Sequence, residues 1–433
     1  MPLNLQTSAI FGALFGDEDI ALALSDEAYV AAMIRFEAAL ARAEAGVGVI
    51  PTEAGDALAA AIDGVSIAPA DLAEGAASAG VPVPALVAAL RKGVASDLGQ
   101  WLHWGATSHD VVDAAQILML KDCLGIMAQR IAAIIDGLQD LSATHADTIM
   151  AGRTRSQVAA PITFGLRCAI WAKPFIAREA ELPQLRSSAL VVQFGGAVGA
   201  NTVVHPHGPA IIDAMAAELG LTPAPAWHVD RSNLTALSHW MVMLAQAAAK
   251  LAGDLMLMGR SEIAEARAGQ GGGSSTMPNK ANPVTSEAVL TLATMAQTAH
   301  AGLLASATQA EERHGPPWAA EWALLPQVAM ATGAALRHSK TLVETLSTDP
   351  DAMRRHLEAQ DGVMAEAASF ALAAHMPRAE AQALVKKAIA MGPTLLDGLK
   401  AVSDAPVDWD AVLDPASAVP SCRAAAATIF ERR

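Results

Sequence analysis

Residues 273–283 read Gly-Ser-Ser-Thr-Met-Pro-Asn-Lys-Ala-Asn-Pro and form the most informative segment of the chain. A glycine-rich run, residues 269–273, leads into this segment. Glycine reaches positive φ at little energetic cost, so the sequence predicts a mobile loop here rather than a helix or a strand. Hydroxyls, a lysine and an amide on a loop hinged by glycines suit closure over an anionic substrate. A plain Gly/Ser linker before a helix has the same composition, so both interpretations stay open at this point.

Long apolar segments flank this loop, and alanine, leucine and methionine dominate them, whereas the alternation typical of strands is almost absent. The sequence therefore predicts an all-α fold with a central bundle of long helices. The longest predicted helices cover residues 26–45, 111–144, 161–182, 234–268 and 286–312, and a further helical pattern continues to about residue 346.

Loops rich in glycine and proline divide the chain into three predicted domains. Residues 1–105 are expected to form a small N-terminal helical domain, residues 106–346 the central long-helix bundle, and residues 347–433 a C-terminal helical cap.

The hydrophobic content is 53% and the mean hydropathy is +0.32, which raises the question of membrane insertion. The uncharged stretch 288–310 is long enough to span a bilayer, but it carries Thr291, Gln297 and His300 among other polar residues. We therefore expect a helix buried in a soluble bundle. No basic segment precedes the apolar residues near the N-terminus, so no signal peptide is expected.

The net charge of −15 disfavours nucleic acid as a partner, but a small anionic ligand is compatible with it where local cations line a site. Cys123, Cys168 and Cys422 lie far apart without metal-ligand spacing, which is typical of reduced thiols in a cytoplasmic protein. His205 and His207 have no carboxylate or cysteine nearby in the sequence, so we expect neither a metal site nor a cofactor.

Two further segments carry candidate binding residues. In the first, residues 103–110 (HWGATSHD), Thr107 or Ser108 is a good N-cap for the following helix, and the free hydroxyls and N–H groups of such a helix start also bind carboxylates. The second, residues 152–157 (GRTRSQ), places two arginines around a threonine, which on its own is also typical of a solvated charge cluster.

Together these three segments resemble, in order, the signature regions of the fumarase/aspartase superfamily, which includes argininosuccinate and adenylosuccinate lyases. The resemblance covers nearly the whole chain. It implies a homotetramer of long helices with active sites built from three subunits, and a reaction that adds or eliminates a group next to a carboxylate. By position it implies that Ser274 is the catalytic base. It also implies the substrate-binding residues His103, Thr107, Ser108, Thr154, Arg155, Gln157, Lys280 and Asn282.

Arg155 occupies the place of a histidine in most branches of the superfamily and indicates which branch the chain resembles. Amine and hydroxide leaving groups need an acid, and a guanidinium with a pKa above about 12 cannot supply one. A carboxylate leaving group needs none, which favours the 3-carboxy-cis,cis-muconate cycloisomerase branch, although that branch usually has histidine and arginine where Asn279 and Ala281 stand. The alternatives are an adenylosuccinate-lyase-like eliminase for another substituted succinate and a structural homologue without activity.

Overall fold

A computed structural model describes residues 4–269, 271–273, 277 and 280–433 of the chain, and most of them are helical. The prediction of an all-α fold with long helices is confirmed. Ser274, the predicted catalytic base, and Asn279 lie outside the described residues.

The N-terminal helices are short, except for the third. That helix has a defined start, since the Ser25 hydroxyl accepts a hydrogen bond from the Ala28 N–H at 3.1 Å, and it extends over the segment predicted as 26–45. The helices are α1 Gly12–Phe15, α2 Glu18–Ala23, α3 Asp26–Gly46, α4 Thr52–Asp63, α5 Ala73–Ala79, α6 Val83–Gly93 and α7 Ser96–Gly99.

Five long helices follow, with one shorter helix between them. They are α8 Ser108–Thr144, α9 Phe164–Ala189, the shorter α10 Gly208–Leu219, α11 Ser232–Met258, α12 Val284–Ser306 and α13 Gly315–Glu344. Several predicted helix ends were wrong. Helix α9 ends at Ala189 rather than at residue 182, and α12 ends at Ser306 rather than at residue 312. Helix α9 begins at Phe164 rather than at residue 161, because Pro161 lies in a strand, and α11 ends at Met258 rather than at residue 268, because the chain turns at Gly259 and Arg260.

The remainder of the chain consists of shorter helices, as predicted. Asp349 caps the first of them through its carboxylate, which accepts from the Ala352 N–H at 2.8 Å, and Pro350 occupies its first turn. The helices are α14 Pro350–Glu358, α15 Ala365–Ala373, α16 Arg378–Met391, α17 Leu395–Val402, α18 Trp409–Val412 and α19 Val419–Phe430.

Strands are few but lie at the predicted functional segments. They form antiparallel pairs: β1 Ile149–Thr154 with β2 Gln157–Thr163, β3 Ala266–Arg267 with β6 Ser347–Thr348, and β4 Gly272–Gly273 with β5 Ala281–Asn282. The last pair corrects the prediction that the glycine run contains no strand. Gly272 lies opposite Asn282, so backbone pairing closes the base of the signature segment.

By its contacts the chain forms two compact units. Unit 1 comprises residues 1–130, 178–246 and 291–337, and unit 2 comprises residues 131–177, 247–290 and 338–433, so each of the five long helices contributes to both. The core of unit 1 includes Phe36, Leu58 and Leu86. A separate core in unit 2, around Leu372 and Trp409, packs the C-terminal helices. The three-domain division stays a prediction.

Two of the long helices, α11 and α12, have the length and hydropathy of a membrane span. The core helices of soluble proteins have the same properties, so this composition is weak support for a membrane location.

Candidate active site

In unit 2, a cleft of about 560 Å³ lies beside the signature segment. Lys280 and Asn282 line it, together with Arg260 and Arg267, although Arg260 also lies 3.6 Å from Glu262. Lys280 is exposed and Asn282 is half-buried. The cleft therefore supplies the local cations that an acidic chain needs in order to bind an anion.

The conformation of Gly269 explains why a glycine begins the glycine-rich run that leads into the signature segment. Its φ is +76°, and an added Cβ would lie 2.7 Å from the Thr285 hydroxyl, so a larger residue is excluded by both conformation and space. Its N–H donates to the Thr345 hydroxyl at 2.7 Å, which fixes the segment to the end of α13.

The second signature segment of unit 2 is the tip of a β-hairpin rather than a helix entry. Thr154 pairs with Gln157, and the two residues between them, Arg155 and Ser156, have φ of +49° and +66°. A two-residue turn with both residues left-handed matches the twist of the strands, but it normally requires Asn-Gly or Asp-Gly. The four residues are exposed, and in the described part of the chain Arg155 has no carboxylate partner. The turn therefore presents a cation in a conformation that is unfavourable for arginine, a pattern that often marks a functional position.

Arg153, two residues before Arg155, forms an ion pair with a buried carboxylate. Its guanidinium donates to both oxygens of Glu265 at 2.8 and 2.6 Å, and Glu265 is fully buried. The same carboxylate lies 3.0 Å from His356 Nδ1. This ion pair joins the hairpin to the chain just before the signature segment, and sequence reasoning missed it because nothing in the sequence distinguishes one arginine from the other.

The predicted residues of unit 1 lie at the start of α8. His103, with a φ of +62°, has its Nδ1 2.6 Å from Glu37 Oε1. Burial lowers the pKa of His103, but the charge and hydrogen bond of Glu37 outweigh it and raise the pKa above its usual value. His103 is thus held as a cationic or readily protonated donor.

Thr107 and Ser108 stand where the sequence predicts the helix start. The helix begins at Ser108, and the Thr107 N–H donates to Asp110 Oδ2 at 3.0 Å. The Thr107 hydroxyl accepts from Arg313 Nη2 at 3.1 Å, so this helix N-terminus has an additional cation beside it.

A buried polar network in unit 1 supports this helix start. Asp110 accepts from the N–H groups of Gly195 and Gly196 at 2.9 and 3.0 Å and lies 2.8 Å from His228 Nε2. The glycine-rich loop 193–199 is therefore fixed to α8 by one carboxylate. The contact between His228 and Asp110 could not be identified from the sequence, because the two residues are 118 positions apart.

A second part of the same network centres on Arg231. Its guanidinium donates to Asp113 at 2.6 and 3.1 Å and to Glu321, and Asp113 also accepts from Trp318 Nε1 at 2.9 Å. Burial raises the pKa of Asp113, but Arg231 outweighs it and holds the pKa well below its usual range. His109 is stacked on Trp318 at 4.0 Å and its Nε2 lies 3.1 Å from Asp113 Oδ2; burial lowers the pKa of His109 by more than Asp113 raises it.

The predicted residues thus fall into three sets. Thr154, Arg155 and Gln157 share the hairpin tip, and Lys280 and Asn282 share the cleft; both sets lie in unit 2. The third set lies at the start of α8 in unit 1 and comprises His103, Thr107 and Ser108. Across the described residues, no group of three His, Cys, Asp or Glu side chains could hold a metal ion.

Comparison with known proteins is consistent with this arrangement. The family model described as Lyase matches residues 17–297. A 3-carboxy-cis,cis-muconate cycloisomerase of Bradyrhizobium diazoefficiens is 36% identical over 89% of this chain and 87% of its own length. A nitrosuccinate lyase of Streptomyces davaonensis is 33% identical over 84% of this chain and 80% of its own length.

The crystal structure of a 3-carboxy-cis,cis-muconate lactonizing enzyme from Pseudomonas putida superposes with a TM-score of 0.87 and 31% identity, over 98% of this chain and 99% of the other. The chain therefore belongs to the lyase family of the fumarase/aspartase superfamily, whose members are enzymes.

Proposed function

We propose that this chain is a 3-carboxy-cis,cis-muconate cycloisomerase of aromatic-compound catabolism, in the β-ketoadipate pathway. The observation that carries the proposal is Arg155, an exposed guanidinium without a carboxylate partner in the described chain, at the place of the histidine of other branches. The names of two similar proteins, one by sequence and one by structure, give further support.

The reaction accounts for an arginine in that position. One carboxylate oxygen of the substrate forms a C–O bond with a carbon of the conjugated double bond, and the electron pair moves towards the neighbouring carboxylate as an aci-carboxylate. A proton then joins carbon, so each lactone formed takes up one proton. In the reverse direction the leaving group is a carboxylate, which needs no acid because its pKa is about 4. Arg155 can therefore serve only to bind and orient.

Each predicted residue has a role in this scheme. Ser274 delivers the proton to carbon, and Lys280 and Asn282 stabilise the aci-carboxylate charge. Arg155 binds a second carboxylate with two parallel hydrogen bonds. The remaining substrate contacts are assigned to His103, Thr107, Ser108, Thr154 and Gln157.

We also propose that the enzyme is a cytoplasmic homotetramer whose active sites combine residues from three subunits. The three separate sets of site residues support it, as do large apolar side chains exposed on the long helices, among them Met243, Leu257 and Leu304. The proposed chemistry needs no metal or organic cofactor.

The test is the ultraviolet absorbance of 3-carboxy-cis,cis-muconate with purified enzyme and EDTA. We expect the diene absorbance to disappear with the wild type and with Ser421→Ala, a variant of an exposed serine on α19, but to persist with Ser274→Ala. Persistence of the absorbance with the wild type would contradict the proposed activity.

The second candidate is an eliminase for another substituted succinate, related in type to adenylosuccinate lyase. It is favoured by the similarity to a nitrosuccinate lyase, since nitrite, like a carboxylate, is a weakly basic leaving group that departs without an acid. Formation of fumarate from a substituted succinate, without any loss of the diene from carboxymuconate, would select this activity.

A further inference from the structure

Two glutamates of α3, Glu37 and Glu44, are buried in unit 1 with exposed fractions of 1% and 0%. They are seven residues apart, two helical turns, and therefore lie on the same face of the helix. Carboxyl groups are almost never fully buried without a partner, so the pair calls for an explanation that packing alone does not provide.

Both glutamates lie close to residues 103–105, which begin the first signature segment, residues 103–110. Glu37 Oε1 is 2.6 Å from His103 Nδ1, and a Cβ added at Gly105 would lie 3.6 Å from Glu44 Oε1. Within the described chain, Glu37 Oε2 and both carboxyl oxygens of Glu44 have no hydrogen-bond partner. Only one of the four carboxyl oxygens therefore has a hydrogen-bond partner there, and that partner is His103, a predicted substrate-binding residue.

The environment of Glu44 favours its neutral form. Burial, and then the charge of Glu37, raise the pKa of Glu44 to about 9, so Glu44 is a neutral acid at physiological pH. The pair then carries one negative charge, which lies against the imidazole of His103. Two other charged groups act on that imidazole: Asp110 raises its pKa and Arg91, which donates to the Gly99 and Leu102 carbonyls, lowers it.

We propose that Glu37 is a positioning residue that keeps a proton on His103 Nδ1 and orients the ring, so that Nε2–H is the donor to a substrate carboxylate. Glu44 is its neutral neighbour and limits the buried pair to a single charge, balanced by the imidazolium. The assignment of a substrate carboxylate to His103 rests on the proposed function, whereas the pairing of Glu37 with His103 does not. A ring fixed at one nitrogen by a carboxylate presents the other in a defined direction.

The direct test is a ¹³C and ¹⁵N nuclear magnetic resonance titration of histidine-labelled enzyme, with the His103 signals assigned from His103→Gln. In the wild type we expect His103 to titrate above an ordinary histidine and to carry its proton on Nδ1 when neutral. In Glu37→Gln the titration midpoint falls below the ordinary value, because burial then dominates. Glu218→Gln, which removes the carboxylate that pairs with Arg42 of the same helix, leaves the titration unchanged.

Kinetics with carboxymuconate provide the second measurement. We expect Glu37→Gln to raise KM about 10- to 100-fold, the usual range for a lost hydrogen bond to a charged group, with a smaller change in kcat. In a His103→Gln background, Glu37→Gln should add no further loss, because Glu37 acts only through the ring.

Three outcomes would overturn the inference: an unshifted wild-type His103 titration, a Glu37→Gln titration equal to the wild type, or additive losses in the double variant. The first of these requires no Glu37 variant and therefore holds even if Glu37→Gln does not fold. An enzyme without activity on carboxymuconate would contradict the proposed function alone, because the titration does not depend on the substrate.

Discussion

Arg155 restricts the possible chemistry more than any other single residue of the candidate site. A guanidinium stays charged throughout the physiological range, so it binds anions but donates no proton in catalysis. Arg155 is exposed at a turn where arginine is conformationally unfavourable, whereas Arg153 is committed to Glu265. Two arginines separated by one residue thus have different environments, the first in an ion pair with a buried carboxylate and the second exposed, where we propose that it binds substrate.

Arg155→His should leave the chain folded and raise KM for carboxymuconate about tenfold or more, because a hydrogen-bonded charge contact is lost. Steady-state kinetics at neutral pH measure this, with circular dichroism to verify the fold. The matched control is Arg354→His, an exposed arginine of α14 that pairs only with Glu358. An unchanged KM would mean that Arg155 does not contact the substrate.

Glu44 makes the stability of the chain depend on pH. Its pKa is raised from 4.5 to about 9 on folding, so between these values the folded chain holds a proton that the unfolded chain releases. The free energy of unfolding therefore falls as pH rises, by about 1.4 kcal/mol per unit for one group at most.

Glu44→Gln removes this dependence, since glutamine has no proton to release. The melting temperature of the variant minus that of the wild type should increase progressively as the pH increases from about 5 to about 9. Melting curves in matched buffers measure the difference, and Glu218→Gln serves as the control with a constant offset. A constant offset for Glu44→Gln as well would show that Glu44 is ionised in the folded chain.

At the scale of elements, the long helices could be predicted and the strands could not. Helix α3 follows from apolar spacing and the hydroxyl cap of Ser25, which are local signals, and α8 begins at Ser108, within the segment where the sequence predicts a helix start. The β1–β2 hairpin depends on a turn of Arg155 and Ser156, which lacks the glycine or asparagine that normally indicates such a turn. The early end of α11 accompanies the ion pair of Glu265 with Arg153, a contact between residues 112 apart.

The turn itself provides a test. Ser156 has a φ of +66°, where a residue with a Cβ costs about 1 kcal/mol relative to glycine, so Ser156→Gly should raise the free energy of unfolding by about that amount or somewhat less. Denaturant titration measures it. Ser187→Gly, in the exposed helical part of α9, should have the opposite sign, lowering stability by about 0.5 kcal/mol. A loss of stability in Ser156→Gly would contradict the left-handed turn.

The ion pair that joins the hairpin to Glu265 predicts a larger effect on the free energy of unfolding. Arg153→Met leaves the buried Glu265 with only His356 beside it and should destabilise the chain by about 3 kcal/mol or more, because an uncompensated buried charge remains. Arg155→Met, two residues away and exposed, should leave stability within about 0.5 kcal/mol of the wild type. Equal effects of the two variants, measured by denaturant titration, would contradict the separate roles of the arginines.

At the scale of the whole molecule, the predicted site residues come from three segments of the sequence. Motifs within contiguous segments are enough to propose these residues, and their joint role stays a prediction. Their supports could not be predicted: Glu37 lies 66 residues from His103, and Asp110 lies 118 residues from His228, so nothing local connects them. In a chain with a net charge of −15, a polyanionic substrate requires local cations, and within unit 2 Arg155 and Lys280 are the residues proposed for this role.

Complementation tests whether subunits share an active site. When each is refolded alone, Ser274→Ala should have almost no activity, through loss of the proton donor, and Arg155→Met should have a kcat/KM at least about tenfold below that of the wild type, through loss of a substrate contact. If one site takes these two residues from different subunits, refolding an equal mixture should create sites that are intact at both positions. Random assembly then restores about a quarter of the wild-type kcat/KM, since each position has an even chance of being wild type.

The control is a chain that carries both substitutions, mixed with wild type under the same conditions. It should also give about a quarter of the wild-type kcat/KM for the same statistical reason. We expect that mixing the two folded single variants without refolding restores nothing, if the proposed tetramer does not exchange subunits during the assay. If the refolded mixture of single variants were no more active than its components, Ser274 and Arg155 would have to act within one chain. That result would reject the shared site and leave the family fold unaffected.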